Sequence, residues 1–114
     1  MRPDERDAAY LWDMLAAARE SQAIVGDLSF EAYAHDRVRV RALERTLELI
    51  GEAARRVSPA LQTAHPEIAW RVLIGQRNLL AHEYGRIDQA LLYKAARAGT
   101  PTLIGALECI LPPG

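Results

Sequence analysis

The sequence predicts an all-α fold: an antiparallel bundle of four to five helices in a single domain, 1–114. Three observations predict it. Apolar residues recur at helical spacing along nearly the whole chain, and no alternating strand pattern interrupts them. Glycine, proline and short polar residues stand where helices begin and end. The chain is also long enough, at 114 residues with half of them hydrophobic, to bury a core without disulfide or metal staples.

Each element follows in order. A first helix is expected over 4–25, with Ala8, Leu11, Met14, Leu15, Ala18 and Val25 on one stripe and Asp7, Asp13, Arg19 and Glu20 off it. Gly26 ends it in the position of a C-cap glycine. A second helix, the longest, is expected over 30–57, capped by Ser29 or Asp27. Its apolar seam is Leu43, Leu47, Ile50, Ala54 and Val57, and Glu52 and Arg56 form a favourable i,i+4 pair outside that seam. Ser58-Pro59 ends it and offers a cap and first position for a short turn of helix. Residues 62–67 read as a loop, because Pro66 disfavours helix at His65.

A third helix is expected over 67–84. It is apolar on more than one face through Ile68, Trp70, Val72, Leu73, Ile74, Leu79 and Leu80. Such a helix is buried on all sides, or buried on one side and used in an interface on another. Gly75 in its middle costs roughly 1 kcal/mol against Ala. Close approach of a second helix explains it, and so does neutral drift. Gly85 ends this helix and Asp88 opens the last, 88–111, which Gly99-Thr100-Pro101 breaks or kinks. Leu92, Ala96, Leu103, Leu107 and Ile110 form its inner face.

Composition excludes several functions. A net charge of −1 gives no global case for nucleic-acid binding, so any such contact needs a local patch. All basic residues but Lys94 are Arg, which suits bidentate phosphate contacts and equally reflects a compositional bias. Cys109 is the only cysteine, so no intrachain disulfide forms; it reads as a small core residue in a reducing, cytoplasmic protein. The chain shows no signal-peptide pattern and no run long and apolar enough to span a membrane. No glycine-rich phosphate loop is present, and His35, His65 and His82 lack the spacing of a zinc site. Glu48 and Glu52 share a helix face, as a solvated pair more often than as catalytic carboxylates.

The residues that could do chemistry are Arg77, Asn78 and His82. A histidine titrates near neutral pH and can take a proton from a 2′-hydroxyl or give one to a leaving oxygen. A guanidinium can hold a phosphate and stabilise the charge that grows on it. Asn78 can orient either. Near a helix C-terminus the dipole favours the charged form of His82. On an ideal helix, however, Arg77 and His82 stand about 140° apart. Distortion near the helix end could join them. The second apolar face and Gly75 favour instead a two-fold dimer, which brings two Arg/His sets into one cleft. Arg37, Arg41, Arg45, Arg71 and Arg86 are candidates for its rim.

The string Arg77-Asn78-Leu79-Leu80-Ala81-His82-Glu83-Tyr84-Gly85-Arg86-Ile87-Asp88 resembles the signature of the HEPN superfamily, in particular its HepT-like toxin branch. Leu49-Ile50-Gly51-Glu52-Ala53-Ala54 and Pro66-Glu67-Ile68-Ala69-Trp70 resemble that family's upstream signatures, with Ala69 where Pro is common. The resemblance covers roughly 40–111. It implies a helical homodimer built on the motif helix and a metal-independent RNase with Arg77 and His82 catalytic and Asn78 supporting. It implies a minimal nucleotidyltransferase antitoxin as partner, which uses ATP and Mg²⁺ to add AMP to Tyr84 and so silences the toxin. The chain itself would need no cofactor. Added adenylate would place bulk and negative charge beside the cleft. The alternative reading is a non-catalytic scaffold or substrate-binding partner of a nucleotidyltransferase.

Overall fold

A computed structural model describes residues 3–82 and 87–112, with 77–82 described as backbone only. Within these residues every regular element is helical: α1 (Glu5–Val25), α2 (Phe30–Ala34), α3 (Arg37–Arg56), α4 (Pro59–Ala64), α5 (Trp70–His82), α6 (Gln89–Lys94), a π-helical turn (Ala95–Gly99) and α7 (Thr100–Ile110). The expected all-α bundle is what the chain forms.

The first helix follows its stripe closely. Asp4 caps α1 by accepting from the Asp7 amide at 2.7 Å. Leu11, Met14, Leu15, Ala18 and Val25 are buried. Gly26 ends the helix at φ 52°, a left-handed conformation that costs glycine little and other residues more. Asp7 does not follow the expectation. It is 4 % exposed, and its carboxylate accepts from the Ser58 amide at 2.9 Å and from the Ser58 hydroxyl at 2.6 Å. These two donors give the buried carboxylate hydrogen-bond partners in place of water.

The expected 30–57 helix is two helices. Ser29 caps α2, and the chain breaks at His35 and Asp36. Asp36 takes an extended conformation and accepts from the Arg39 amide at 3.2 Å, opening α3 as its N-cap. His35 closes α2, its ring Nδ1–H donating to the Glu31 carbonyl at 2.8 Å. A short carboxylate beside its own helix start competes with helix continuation. The α3 seam is buried as expected, through Leu43, Leu47, Ile50, Ala54 and Val57. The Ser21 and Thr46 hydroxyls, 2.7 Å apart, join α1 to α3 inside the core.

Ser58 caps α4 with Pro59 at its first position. Residues 62–64, expected in a loop, continue that helix. Gln62 stays there because its side-chain amide donates to the carbonyls of Ala54 and Val57 at the end of α3. The next helix starts at Trp70, later than 67. Residues 66–69 form a turn in which the Trp70 indole donates to the His65 carbonyl at 3.0 Å, while Ile68 is buried.

The last helix does not break at Gly99-Thr100-Pro101. It passes through the π turn, where the Thr100 amide donates to the Ala95 carbonyl five residues back. Thr100 is no cap; its hydroxyl donates to the Ala96 carbonyl. In an ideal α-helix the Pro101 ring would clash with the carbonyl of Arg97, and one widened turn relieves that clash. Leu92, Ala96, Leu103 and Leu107 face the core. Cys109 does not belong to it: the thiol is exposed, because position 109 falls off the Leu103–Leu107 stripe.

Helix α3 packs against both α1 and α5, and α7 packs on α1 and faces α5 across a groove. Helix α5 is therefore an edge helix, packed chiefly on α3. An open groove of about 500 Å³ separates it from the α6–π–α7 rod. Val72 and Leu91 line that groove and stand 58 % and 44 % exposed. Gly75 is exposed, and an added Cβ there would meet nothing within 4 Å. No segment of the described chain makes the close approach that position 75 suggested. No helix among the described residues is long and apolar enough to cross a membrane.

Candidate functional site

The chain reverses direction through α4, so α3 and α5 run antiparallel. Leu47 and Ile50 of α3 meet the residues from Ile68 to Gln76 around the groove. The N-terminal half of α3 therefore runs beside the C-terminal half of α5. That half carries the residues predicted for chemistry. Arg77, Asn78 and His82 lie on α5, and their side chains fall outside the described residues. Tyr84 also lies outside the described residues, as do Gly85 and Arg86.

Helix placement sorts the remaining rim arginines. Arg37 is exposed at the start of α3 and makes no ion pair among the described residues. Arg41 pairs with Glu44 at 3.4 Å, and Arg45 pairs with Glu48. Both guanidiniums are more than half exposed, so the pairs contribute little and can yield to a phosphate. Arg71 does not join them. It sits in the first turn of α5, eleven residues before His82, which at 1.5 Å per residue is roughly 16 Å along the helix.

The chain leads from the motif into α6, and here the structure shows a polar chain that the sequence did not announce. The buried Tyr33 hydroxyl of α2 donates to Gln89 Oε1 at 2.7 Å. Gln89 Nε2 donates to Glu44 Oε2 at 2.7 Å. Glu44 Oε1 in turn receives the Arg41 guanidinium. A carboxylate only accepts, so the amide nitrogen must face Glu44 and the amide oxygen must face Tyr33. Burial, and then the nearby Glu44 charge, push the Tyr33 phenol up to about 12. The phenol is therefore a neutral donor across the physiological range. Phe30 and Tyr93 pack on its ring. Asp88 caps α6 by accepting from the Leu91 amide at 3.2 Å. Helices α2 and α3 thus converge on the first turn of α6. The only sequence signal was a polar residue one place after the expected cap.

Two remaining histidines serve the fold. His35 caps α2, and His65 stands 3.1 Å from the Glu67 carboxylate. Backbone hydrogen bonding, with His65 second, holds Glu67 below its ordinary value. Among the described residues no group of His, Cys, Asp and Glu side chains could hold a metal ion.

The comparisons with known proteins place this architecture. A family model described as "Ribonuclease HepT-like" matches residues 14–110, a longer span than the motif resemblance suggested. A protein of Methanocaldococcus jannaschii named a putative RNase is 29 % identical over 102 residues, covering 90 % of this chain and 94 % of its own. A protein of Thermococcus cleftensis named a probable ribonuclease HepT is 32 % identical over 99 residues, covering 87 % and 90 %. A third relative, from Caldanaerobacter subterraneus subsp. tengcongensis and also named a putative RNase, is 32 % identical over 87 residues, covering 76 % and 78 %. No solved structure matches at a significant level. An all-α bundle, the motif on an edge helix and a family match over most of the chain agree: this protein belongs to the HepT-like family.

Proposed function

We propose that the chain is an RNase that cleaves RNA without a metal, in a cleft made by two copies of α5, and that it acts as the toxin of a toxin–antitoxin pair. The observation that carries the reading is the family match spanning α5 and its motif, joined to relatives named as RNases. The chemistry suits the residues. His82 takes the 2′-hydroxyl proton or protonates the leaving oxygen. Arg77 stabilises the phosphate in the transition state. Asn78 orients one or the other. Arg37 and Arg41, at the motif end of α3, hold flanking phosphates. The dimer is supported by the edge position of α5, the exposed Val72 and the open Gly75. A two-fold axis there also answers the angle of about 140° that separates Arg77 from His82 on one helix.

Purified protein incubated with mRNA or tRNA in EDTA is expected to cut it at the rate seen without chelator. Loss of cutting in EDTA, restored by Mg²⁺, refutes metal independence. Protein that cuts no RNA yet binds a minimal nucleotidyltransferase tightly refutes the RNase reading and leaves the scaffold role.

Control is assigned to Tyr84. A nucleotidyltransferase antitoxin joins the Tyr84 phenol oxygen to the α-phosphate of ATP and releases pyrophosphate. The added phosphate repels RNA and the adenosine fills space beside the cleft. After co-expression with such a transferase, the peptide holding Tyr84 is expected to gain the mass of one AMP, and cleavage is expected to fall in proportion. An unmodified peptide from protein that has lost its activity removes this assignment.

A further inference from the structure

We propose that Gln89 is a positioning residue for RNA cleavage, holding the first turn of α6, the helix that follows the motif in the chain. The proposal rests on the RNase reading above. The elements on either side of the motif are unevenly supported. On its leading side is α5, an edge helix packed chiefly on α3. On its trailing side is the first turn of α6, and there Gln89 uses both ends of its carboxamide. Oε1 accepts from Tyr33 on α2 and Nε2 donates to Glu44 on α3, each at 2.7 Å. Gln89 is seven residues beyond His82 and five beyond Tyr84. No other side chain among the described residues links α6 to both α2 and α3 by hydrogen bonds.

The polarity of this clamp is fixed, which makes it testable. Tyr33 must donate, Glu44 must accept, and only a carboxamide between them satisfies both. A misplacement of about 1 Å in a site held by such supports can cost on the order of a hundredfold in rate. A clamp that sets the geometry of the reacting groups therefore shows in kcat, and a clamp that only holds the fold together does not.

Gln89→Glu sets a second carboxylate against Glu44 and opens the clamp. Glu44→Gln alone keeps it, because the new carboxamide oxygen at 44 can accept from Gln89. Combining the two reverses the polarity: the carboxylate at 89 accepts from Tyr33 and from the new amide nitrogen at 44. Steady-state cleavage is measured well below each variant's melting temperature. Q89E is expected to lose at least about tenfold in kcat, with KM within about threefold. E44Q and the Q89E/E44Q pair are expected to stay within about threefold of wild type. Q89M, close in length and without hydrogen bonds, is expected to lose kcat, and E44Q is expected not to restore it. It also stands in if Q89E does not fold. Unchanged kcat in Q89M or Q89E overturns the proposal, and so does a Q89E/E44Q pair no faster than Q89E. A wild type that cuts no RNA fails the RNase reading itself, a result plainly different from an active wild type with an equally active Q89M.

Discussion

His82→Ala is expected to lower kcat for RNA cleavage by about a thousandfold while the protein keeps its helical content and the proposed dimer. A positioned proton-transfer group contributes on the order of 10²–10⁴ in rate, and no other histidine is free to replace this one. His35 is committed to capping α2, and His65 sits against Glu67 at the opposite end of the bundle, before α5 begins. Arg77→Ala is expected to cost on the order of 10²–10³, the scale of losing one preorganised stabiliser of transition-state charge. Arg77→Lys recovers part of that, since an ammonium supplies charge without the bidentate fork. The double variant is expected to be little worse than His82→Ala, because groups that act as a unit do not add. Mixing the two single variants separates a cleft shared between chains from a site within one chain. If Arg comes from one protomer and His from the other, half of the mixed dimers are hybrid and each hybrid keeps one intact site. The mixture then regains about a quarter of wild-type activity. A mixture as inactive as its parts places both residues within one chain. Activity of His82→Ala within about threefold of wild type sinks the assignment of His82.

Much of this architecture was legible because helices announce themselves locally. The α1 stripe, the α3 seam, the Gly26 stop and the Ser58-Pro59 start are patterns within one or two turns. What was hidden depended on competition or distance. At His35-Asp36 a single capping carboxylate outweighs an otherwise continuous helical pattern. At Gly99-Thr100-Pro101 the break signals are real, yet burial of Leu92, Ala96, Leu103 and Leu107 on one face favours a widened turn over an end. Cys109 was misplaced because its neighbours in sequence are apolar while its own position on the helix points outward. For the candidate site, a motif resemblance supplied Arg77, Asn78, His82 and Tyr84, since spacing alone set Arg77 and His82 on different faces. Nothing local announced the Tyr33–Gln89–Glu44 chain, whose members lie 45 and 56 residues apart. Polar partners at such separations leave no periodic trace.

Asp7 is the most consequential of these distant contacts for stability. Asp7→Ala is expected to destabilise the fold by about 3 kcal/mol, or roughly 12 °C in melting temperature. The Ser58 hydroxyl accepts from the Leu61 amide as the cap of α4 and donates to Asp7, so it works in both directions. Removing the carboxylate leaves the Ser58 amide and hydroxyl without their acceptor, at about 1–3 kcal/mol for each buried donor left unpaired. Asp7→Asn keeps one acceptor for the Ser58 amide and is expected to cost only about 1 kcal/mol. Ser58→Ala keeps the backbone bond to Asp7 but loses the cap and the hydroxyl contact, at about 2 kcal/mol. Because these residues join the start of α1 to the turn between α3 and α4, the losses are expected to couple. The double variant Asp7→Ala/Ser58→Ala should be less damaging than the sum of its parts by 1 kcal/mol or more. Denaturant unfolding of the four proteins measures this directly. Strict additivity, or an Asp7→Ala cost below about 1 kcal/mol, means that the carboxylate is merely buried and does not hold the α3–α4 turn, from which α5 and its motif are launched.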